Sequence, residues 1–261
     1  MLRKAKDLKG FKLGALDGEI GRTKEFYFDD ETWTVRYLVA DTGTWLTSHQ
    51  VLISPFALRE VDDASQILHV ALTRKNIENC PPIGFDEPVS RQYERKYLAY
   101  YGWPLYWAGP ALWGATAYPY YGHAVNPMDV LPENSEEHQG DPHLRSTSEL
   151  HGYHIQARDK QIGRIEDFLL DDNWAIRYLI VDTRNFWPGK KVLLAPQWIE
   201  KVSWRESKVV ADLPHDTIQG APEYDDSKPI TREYEQSLYG YYQRESYWTN
   251  DYIAEPTSHI H

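Results

Sequence analysis

The sequence predicts a mainly β chain with short helices, built as two small β-barrels from an internal duplication. The first observation is a repeat: DDETWTVRYLVADT at residues 29–42 returns as DDNWAIRYLIVDT at residues 171–183. The match extends outward, and 19 of 47 paired positions from residue 8 to residue 55, leaving out Glu31, are identical. So many identities in one register indicate a tandem duplication. The second observation is that each copy consists of short apolar or alternating runs separated by turn residues, which is typical of strands.

Five strands are predicted in each copy. In the first copy they cover residues 11–15, 20–28, 35–40, 51–53 and 67–72. The imperfect alternation of the second strand favours a curved strand in a small barrel. Gly21 and Gly163 lie inside this strand, where a glycine marks a bulge or a close backbone approach. The third strand is nearly all apolar or aromatic, and we expect it to be the most buried.

Helices are predicted after the strands. Residues 73–78 favour a short helix, and residues 88–102 and 229–243 favour two tyrosine-rich amphipathic helices. Ser90 and Thr231 are suitable N-caps for the longer two. One stripe of each longer helix is expected to pack on a barrel. The predicted stripes are Tyr93, Tyr97 and Tyr100 in the first helix, and Tyr234, Leu238 and Tyr241 in the second.

An uncharged aromatic segment separates the two copies. Residues 103–122 carry no charge and are rich in Trp and Tyr, but three prolines and three glycines argue against a membrane-spanning helix. Packing on a barrel, an interface and a sticky exposed surface stay open. The candidate interaction surface is Trp103, Tyr106, Trp107, Trp113, Tyr120 and Tyr121. Residues 129–149 read as a polar linker, and residues after 242 as a mobile tail.

These features predict four regions. Residues 1–102 form the first barrel with its tyrosine-rich helix, and residues 103–145 form the aromatic segment and linker. Residues 146–243 form the second barrel with its helix, and residues 244–261 form the tail. The net charge of −11 argues against a nucleic-acid partner. The single cysteine, Cys80, and the lack of an apolar leader predict a cytoplasmic protein.

The repeated motifs resemble those of the PRC-barrel family. The stretch GRxxxF, the Asp-Asp turn, RYL followed by an aliphatic pair and DT, and then VL(I/L)xP occur in order and twice, over residues 1–72 and 146–213. The resemblance implies the small β-barrel of the cytoplasmic domain of the photosynthetic reaction centre H subunit. The same barrel is the C-terminal domain of a bacterial ribosome-maturation factor. The chain has neither the transmembrane helix of the first nor the N-terminal domain of the second.

The candidate chemical sites each have a structural alternative. The Asp29-Asp30 and Asp171-Asp172 pairs suit turns better than a cation site or an acid–base pair. A small-ligand pocket between the barrels would use Arg36, Asp41, Arg177 and Asp182, although bonds to neighbouring strands or loops are the favoured role. His143, His151 and His154 are close in sequence without zinc-ligand spacing. Cys80 is read as a structural thiol.

The function predicted from the sequence is non-catalytic protein binding or assembly, without a cofactor. The expected partner is another protein or a second copy of the chain, and peripheral membrane contact is not predicted. Two alternatives stay open: a small-ligand protein or enzyme with a site between the barrels, and an electron-transfer-complex or RNA-associated factor like the two characterised relatives.

Overall fold

The structure is a computed structural model and describes residues 1–43, 50–81, 89–119, 143–184 and 189–251. Over these residues the chain is mainly β, with two mixed sheets and short helices, which confirms the predicted class. Closure of each sheet into a barrel and the tandem duplication stay predictions from the sequence.

The chain divides into two compact units. Unit 1 contains Met1, Arg3–Leu150 and Phe168–Arg177. Unit 2 contains Leu2, His151–Asp167 and Tyr178–His261.

The first sheet follows an N-terminal strand, β1 (Arg3–Lys4), and a helical turn, α1 (Ala5–Leu8). Its strands are β2 (Lys12–Ala15), β3 (Gly18–Asp29), β4 (Thr34–Asp41), β5 (Gln50–Ile53), β6 (Leu58–Asp62), β7 (Ile67–Val70) and β8 (Leu144–Ser146). The order is β5-β4-β3-β2-β7-β6, with β8 paired to β3. The β2–β7 pair is parallel, and the other assigned pairs are antiparallel. Strand β4 is buried from Thr34 to Ala40, as its apolar sequence predicts.

The second sheet repeats this order. Its strands are β9 (His154–Gln156), β10 (Gln161–Leu170), β11 (Ile176–Asp182), β12 (Lys191–Leu194), β13 (Ile199–Ser203) and β14 (Lys208–Ala211), in the order β12-β11-β10-β9-β14-β13 with β1 on β10. The β9–β14 pair is parallel, like β2–β7.

Two glycines permit a close approach between neighbouring strands. A Cβ on Gly21 would lie 2.0 Å from the Asp41 carbonyl oxygen, and one on Gly163 would lie 2.4 Å from that of Asp182. Gly21 also has φ +141°, which side chains rarely tolerate. The predicted close backbone approach is therefore confirmed at both positions.

Seven short helices are assigned in the described residues. In addition to α1 they are α2 (Arg74–Glu78), α3 (Arg91–Tyr101), α4 (Thr147–Leu150), α5 (His215–Gly220), α6 (Arg232–Tyr242) and α7 (Tyr247–Asp251). The Ser90 hydroxyl accepts the Tyr93 amide of α3, and the Thr231 hydroxyl accepts the Tyr234 amide of α6. The predicted N-caps are therefore confirmed.

Three expectations about irregular segments were wrong. Strands β6 and β13 were not predicted, because each is only five residues long and follows a proline-containing 3₁₀ turn. The polar linker ends before residue 143, since β8 and α4 follow there and β8 pairs with β3. The tail forms α7 before residues 252–261, which lie outside the described residues.

Candidate interaction site

A buried carboxylate anchors helix α3 in unit 1. Glu94 lies one turn into α3 and has no exposed surface. Its Oε1 accepts hydrogen bonds from the hydroxyl of Tyr37, at 2.9 Å, and from that of Tyr106, at 2.7 Å. Its Oε2 lies 3.5 Å from Nη1 of Arg91. A buried carboxylate needs such donors, because an unpaired one would carry a large desolvation cost.

The two phenols act as donors rather than as proton carriers. Burial, followed by the charge of Glu94, raises the pKa of Tyr37 well above its ordinary value. A phenol with a raised pKa stays protonated at neutral pH and keeps donating its hydrogen bond. The arrangement is therefore suited to holding β4, α3 and the Tyr106 segment together.

Arg91 connects this cluster to the protein surface. Its Nη1 donates to the Tyr106 hydroxyl at 2.9 Å, and its guanidinium lies 4.3 Å from the Trp107 ring centroid. Trp107 is only half-buried. The cation thus fixes the orientation of an indole that keeps part of its face in solvent.

A second arginine of unit 1 lies beneath the aromatic segment. Arg36 is buried, with its guanidinium 4.0 Å from the Tyr106 ring centroid and 5.0 Å from that of Trp113. It donates to the Leu112 carbonyl and, at 3.0 Å, to the Thr32 hydroxyl. Burial lowers the pKa of Arg36, although the neighbouring phenols and carboxylates oppose that shift. Arg36 is consequently part of the packing beneath the segment.

Unit 2 contains a cluster of the same composition. Oε1 of Glu235 accepts from the hydroxyl of Tyr178 at 2.8 Å and from that of Tyr247 at 3.0 Å. Its Oε2 lies 3.0 Å from Nη1 of Arg232. The Arg232 guanidinium lies 4.1 Å from the ring of Trp248, which is half-buried like Trp107. Each unit therefore displays one indole on a cation that a buried glutamate holds.

The sequence contained a signal for these clusters that the predictions did not use. Arg91, Glu94, Tyr106 and Trp107 recur 141 residues later as Arg232, Glu235, Tyr247 and Trp248. The predictions followed only the apolar stripe of each helix. Tyr100 and Tyr241 of those stripes are exposed, at 40% and 39%, so the expectation that they pack was wrong. The packed face is rotated toward the glutamate, because phenol donors satisfy the carboxylate.

The predicted aromatic surface is divided by its burial. Tyr106 and Trp113 are buried within unit 1, and Trp113 packs edge-on against Phe56 at 5.1 Å between ring centroids. Trp103 and Trp107 are half-buried, and Trp103 stacks on Tyr101 at 4.4 Å. Tyr120 and Tyr121 lie outside the described residues. Solvent-facing aromatic area in the described part of the segment comes from Trp103, Trp107 and the exposed Tyr118.

The predicted pocket residues have partners close by in the chain. Besides Arg36, described above, Arg177 donates from Nε to Asp171 at 2.6 Å. Asp41 accepts the amide of Gly43 at 2.9 Å, and Asp182 pairs with Arg184. These bonds match the favoured structural role of the four side chains. Their use in a ligand site stays a prediction.

The Asp-Asp pairs form turns, as predicted. Oδ1 of Asp29 accepts the amides of Glu31 and Thr32, and Oδ1 of Asp171 accepts those of Asn173 and Ala175. Such bonds are typical of aspartate at a turn.

The remaining candidates have ordinary surroundings. His143 lies between Asp30 and Glu31, whereas His154 contacts Gln161. No group of three His, Cys, Asp or Glu side chains in the described residues has metal-binding geometry. Burial raises the pKa of Cys80 to about 11, although hydrogen bonds from Tyr101 and Tyr93 oppose the shift.

Comparison with known proteins adds no family to this geometry. No family model and no curated protein matches the chain. Within the described residues, no helix is long and apolar enough to cross a membrane.

Proposed function

We propose that the chain is a non-catalytic protein-binding or assembly module made of two PRC-barrel-like units. The observation that carries this proposal is the recurrence of one cluster, in which a buried glutamate holds an arginine and the arginine holds a half-exposed tryptophan. Trp107 on Arg91 and Trp248 on Arg232 are the two surfaces proposed to contact a partner.

The barrel assignment is supported by the sheet connections. In each sheet the first long strand pairs with the last hairpin through a parallel contact, β2 with β7 and β9 with β14. Such a contact brings the beginning and end of a strand run together, as a small barrel requires. The duplicated motifs that resemble the PRC-barrel family fall on these strands. We therefore propose a tandem duplication in which each copy closes as a barrel.

Protein binding is favoured by the chemistry of the two surfaces. Tryptophan and arginine are enriched among the residues that contribute most to protein–protein affinity. Each indole is held in place by its cation, so little side-chain entropy would be lost on binding. The polar atoms of Glu94 and Glu235 are occupied by structural partners, so these carboxylates are assigned to support rather than to catalysis. We place the protein in the cytoplasm, where its one thiol would stay reduced.

The proposal is tested by removing the indoles without disturbing the clusters. Trp107→Ser, Trp248→Ser and the double variant are compared with the wild-type chain and with Tyr118→Ser. Tyr118 is a suitable control because it is 51% exposed and belongs to neither cluster. Each tagged protein is captured from its native lysate, with nuclease and mild detergent as parallel arms, and sedimentation velocity measures self-association.

The expected result is a stoichiometric protein partner, or a self-associated species, that survives both arms for the wild type and Tyr118→Ser. The double variant should lose it by at least about tenfold. Identical association by the double variant and the wild type would contradict the proposal. Loss of the captured material with nuclease alone would favour an RNA-associated factor, and loss with detergent alone a membrane surface.

A further inference from the structure

Unit 1 contains a cavity that the interaction surfaces do not use. Its volume is about 300 Å³, at the lower end of the range for small-molecule sites. It is lined by Arg3 of β1, Leu8 of α1, Val61 of β6, and the turn residues Asp172 and Trp174 together with Leu170.

The apolar part of the cavity is already formed. Leu8, Leu170 and Trp174 are buried, and Val61 is half-buried. The Trp174 ring packs against Phe26 at 6.0 Å between centroids. The turn before Trp174 is fixed by the two amides that Asp171 accepts. A ligand would therefore meet a preorganised apolar wall.

The polar part leaves one donor unused. Arg3 donates from Nη1 to Asp172 at 2.8 Å, and its Nη2 lies 3.5 Å from Asp63. Its Nε is buried and has no acceptor among the described residues. An orphan N–H in such a place is costly unless a ligand or water accepts it.

The carboxylates of the cavity, in contrast, already have cationic partners. Asp172 is paired with Arg3, and Asp171 is paired with Arg177 at 2.6 Å. Although partial burial alone raises the pKa of Asp172, bonds and charges from the Met1 amino group and Arg3 outweigh it, and the pKa is lowered. At the mouth, the exposed Arg59 and Glu60 offset each other in charge. The group still to be satisfied is a donor, so the missing partner is an acceptor.

We propose that this cavity binds a small organic acid with a flat apolar body. One carboxylate oxygen accepts the hydrogen bond of Arg3 Nε, and the apolar body lies against Leu8, Val61 and Trp174. This site is separate from the protein-binding surfaces at Trp107 and Trp248 and does not depend on them.

The test uses the full chain and four probes of defined chemistry. Benzoate is the flat acid, benzylamine carries the opposite charge, benzyl alcohol is neutral, and acetate lacks the ring. Binding is measured by calorimetric titration and by the rise in melting temperature, up to about 10 mM of each probe. Val61→Trp fills the half-buried side of the cavity, Arg3→Gln removes the donor, and Arg158→Gln is a matched control at an exposed ion pair of unit 2.

Benzoate is expected to bind at one site in the wild type and in Arg158→Gln. Val61→Trp and Arg3→Gln should weaken it by at least about tenfold, and the other three probes should bind at least about tenfold more weakly than benzoate. Circular dichroism of Val61→Trp checks that its fold is retained. The proposal is overturned if benzoate does not bind, if folded Val61→Trp binds it as tightly as the wild type, or if benzylamine binds equally well.

Discussion

The clusters around Glu94 and Glu235 share their residues but differ in how deeply they are enclosed. The side chain of Arg91 is 16% exposed, whereas that of Arg232 is 47% exposed. In unit 1 the chain beyond Trp107 continues over the cluster, and Trp113 covers Arg36. In unit 2 the corresponding chain is the short helix α7. One motif thus gives a closed cluster in unit 1 and a more open one in unit 2.

The helices above the clusters are tethered differently as well. In α3 the Tyr97 hydroxyl donates to the Leu52 carbonyl at 2.9 Å and accepts the Ser54 amide at 3.1 Å. In α6 the corresponding position is Leu238, and Tyr242 reaches the Leu193 carbonyl at 3.5 Å. The equivalent carbonyl is satisfied from a different turn of the helix. Support for the two tryptophans can therefore be conserved in effect while individual contacts change.

The largest expected difference follows from removing each glutamate. Glu94→Ala leaves two buried phenols and a partly buried arginine without their acceptor, and should destabilise unit 1 by about 3–5 kcal/mol. Glu235→Ala should cost about 2 kcal/mol, because solvent can replace part of the lost partner of Arg232. Hydrogen exchange of peptides from α3 and α6 measures the two effects separately. Equal or reversed losses would contradict the comparison.

Removing the cover of unit 1 should have the next largest effect. Trp113→Ala deletes the contacts with Phe56 and Arg36 and should cost about 3 kcal/mol, at the lower end for a buried tryptophan because the segment can collapse. The loss should appear in exchange of β4 and α3 peptides and leave α6 unchanged. Unchanged protection of α3 would show that the segment does not support the cluster.

The tyrosine tethers give a smaller and more specific test. Tyr97→Phe leaves a buried carbonyl and amide without their partner and should cost about 2 kcal/mol. Tyr242→Phe removes one long hydrogen bond and should cost less than about 1 kcal/mol. Both changes keep the ring, so the difference isolates the hydroxyl. A larger loss for Tyr242→Phe would reverse the proposed order of enclosure.

The thiol of Cys80 reports on unit 1 without a mutation. Its counterpart 141 residues later is Ala221, so the reporter is specific to unit 1. A raised pKa means that less thiolate is present at any pH below about 11. Alkylation by iodoacetamide at pH 8 should therefore be on the order of 100-fold slower than in the unfolded chain, and it should accelerate as pH rises toward 11. An equal rate in folded and unfolded chains would contradict the buried environment.

The sequence determined the regular strands and caps better than it determined the site. Alternation and turn residues were sufficient for β3, β4 and the N-caps at Ser90 and Thr231, because these features depend on neighbours in sequence. Glu94 was missed because a hydrophobic stripe assigns glutamate to the solvent face. Its burial depends on hydroxyls from Tyr37 and Tyr106, which are distant in sequence. Strand β8 was missed because its three residues are ordered by pairing with β3.

The central claim is that Trp107 and Trp248 are contact points for a protein partner. The most direct test places a photo-crosslinking phenylalanine derivative at position 107, 248 or 118 of the full chain in its native cells. The account predicts protein adducts from positions 107 and 248, with the same partner at both or with a second copy of the chain, and little adduct from position 118. Equal adduct from all three positions, or no protein adduct from 107 and 248, would contradict it.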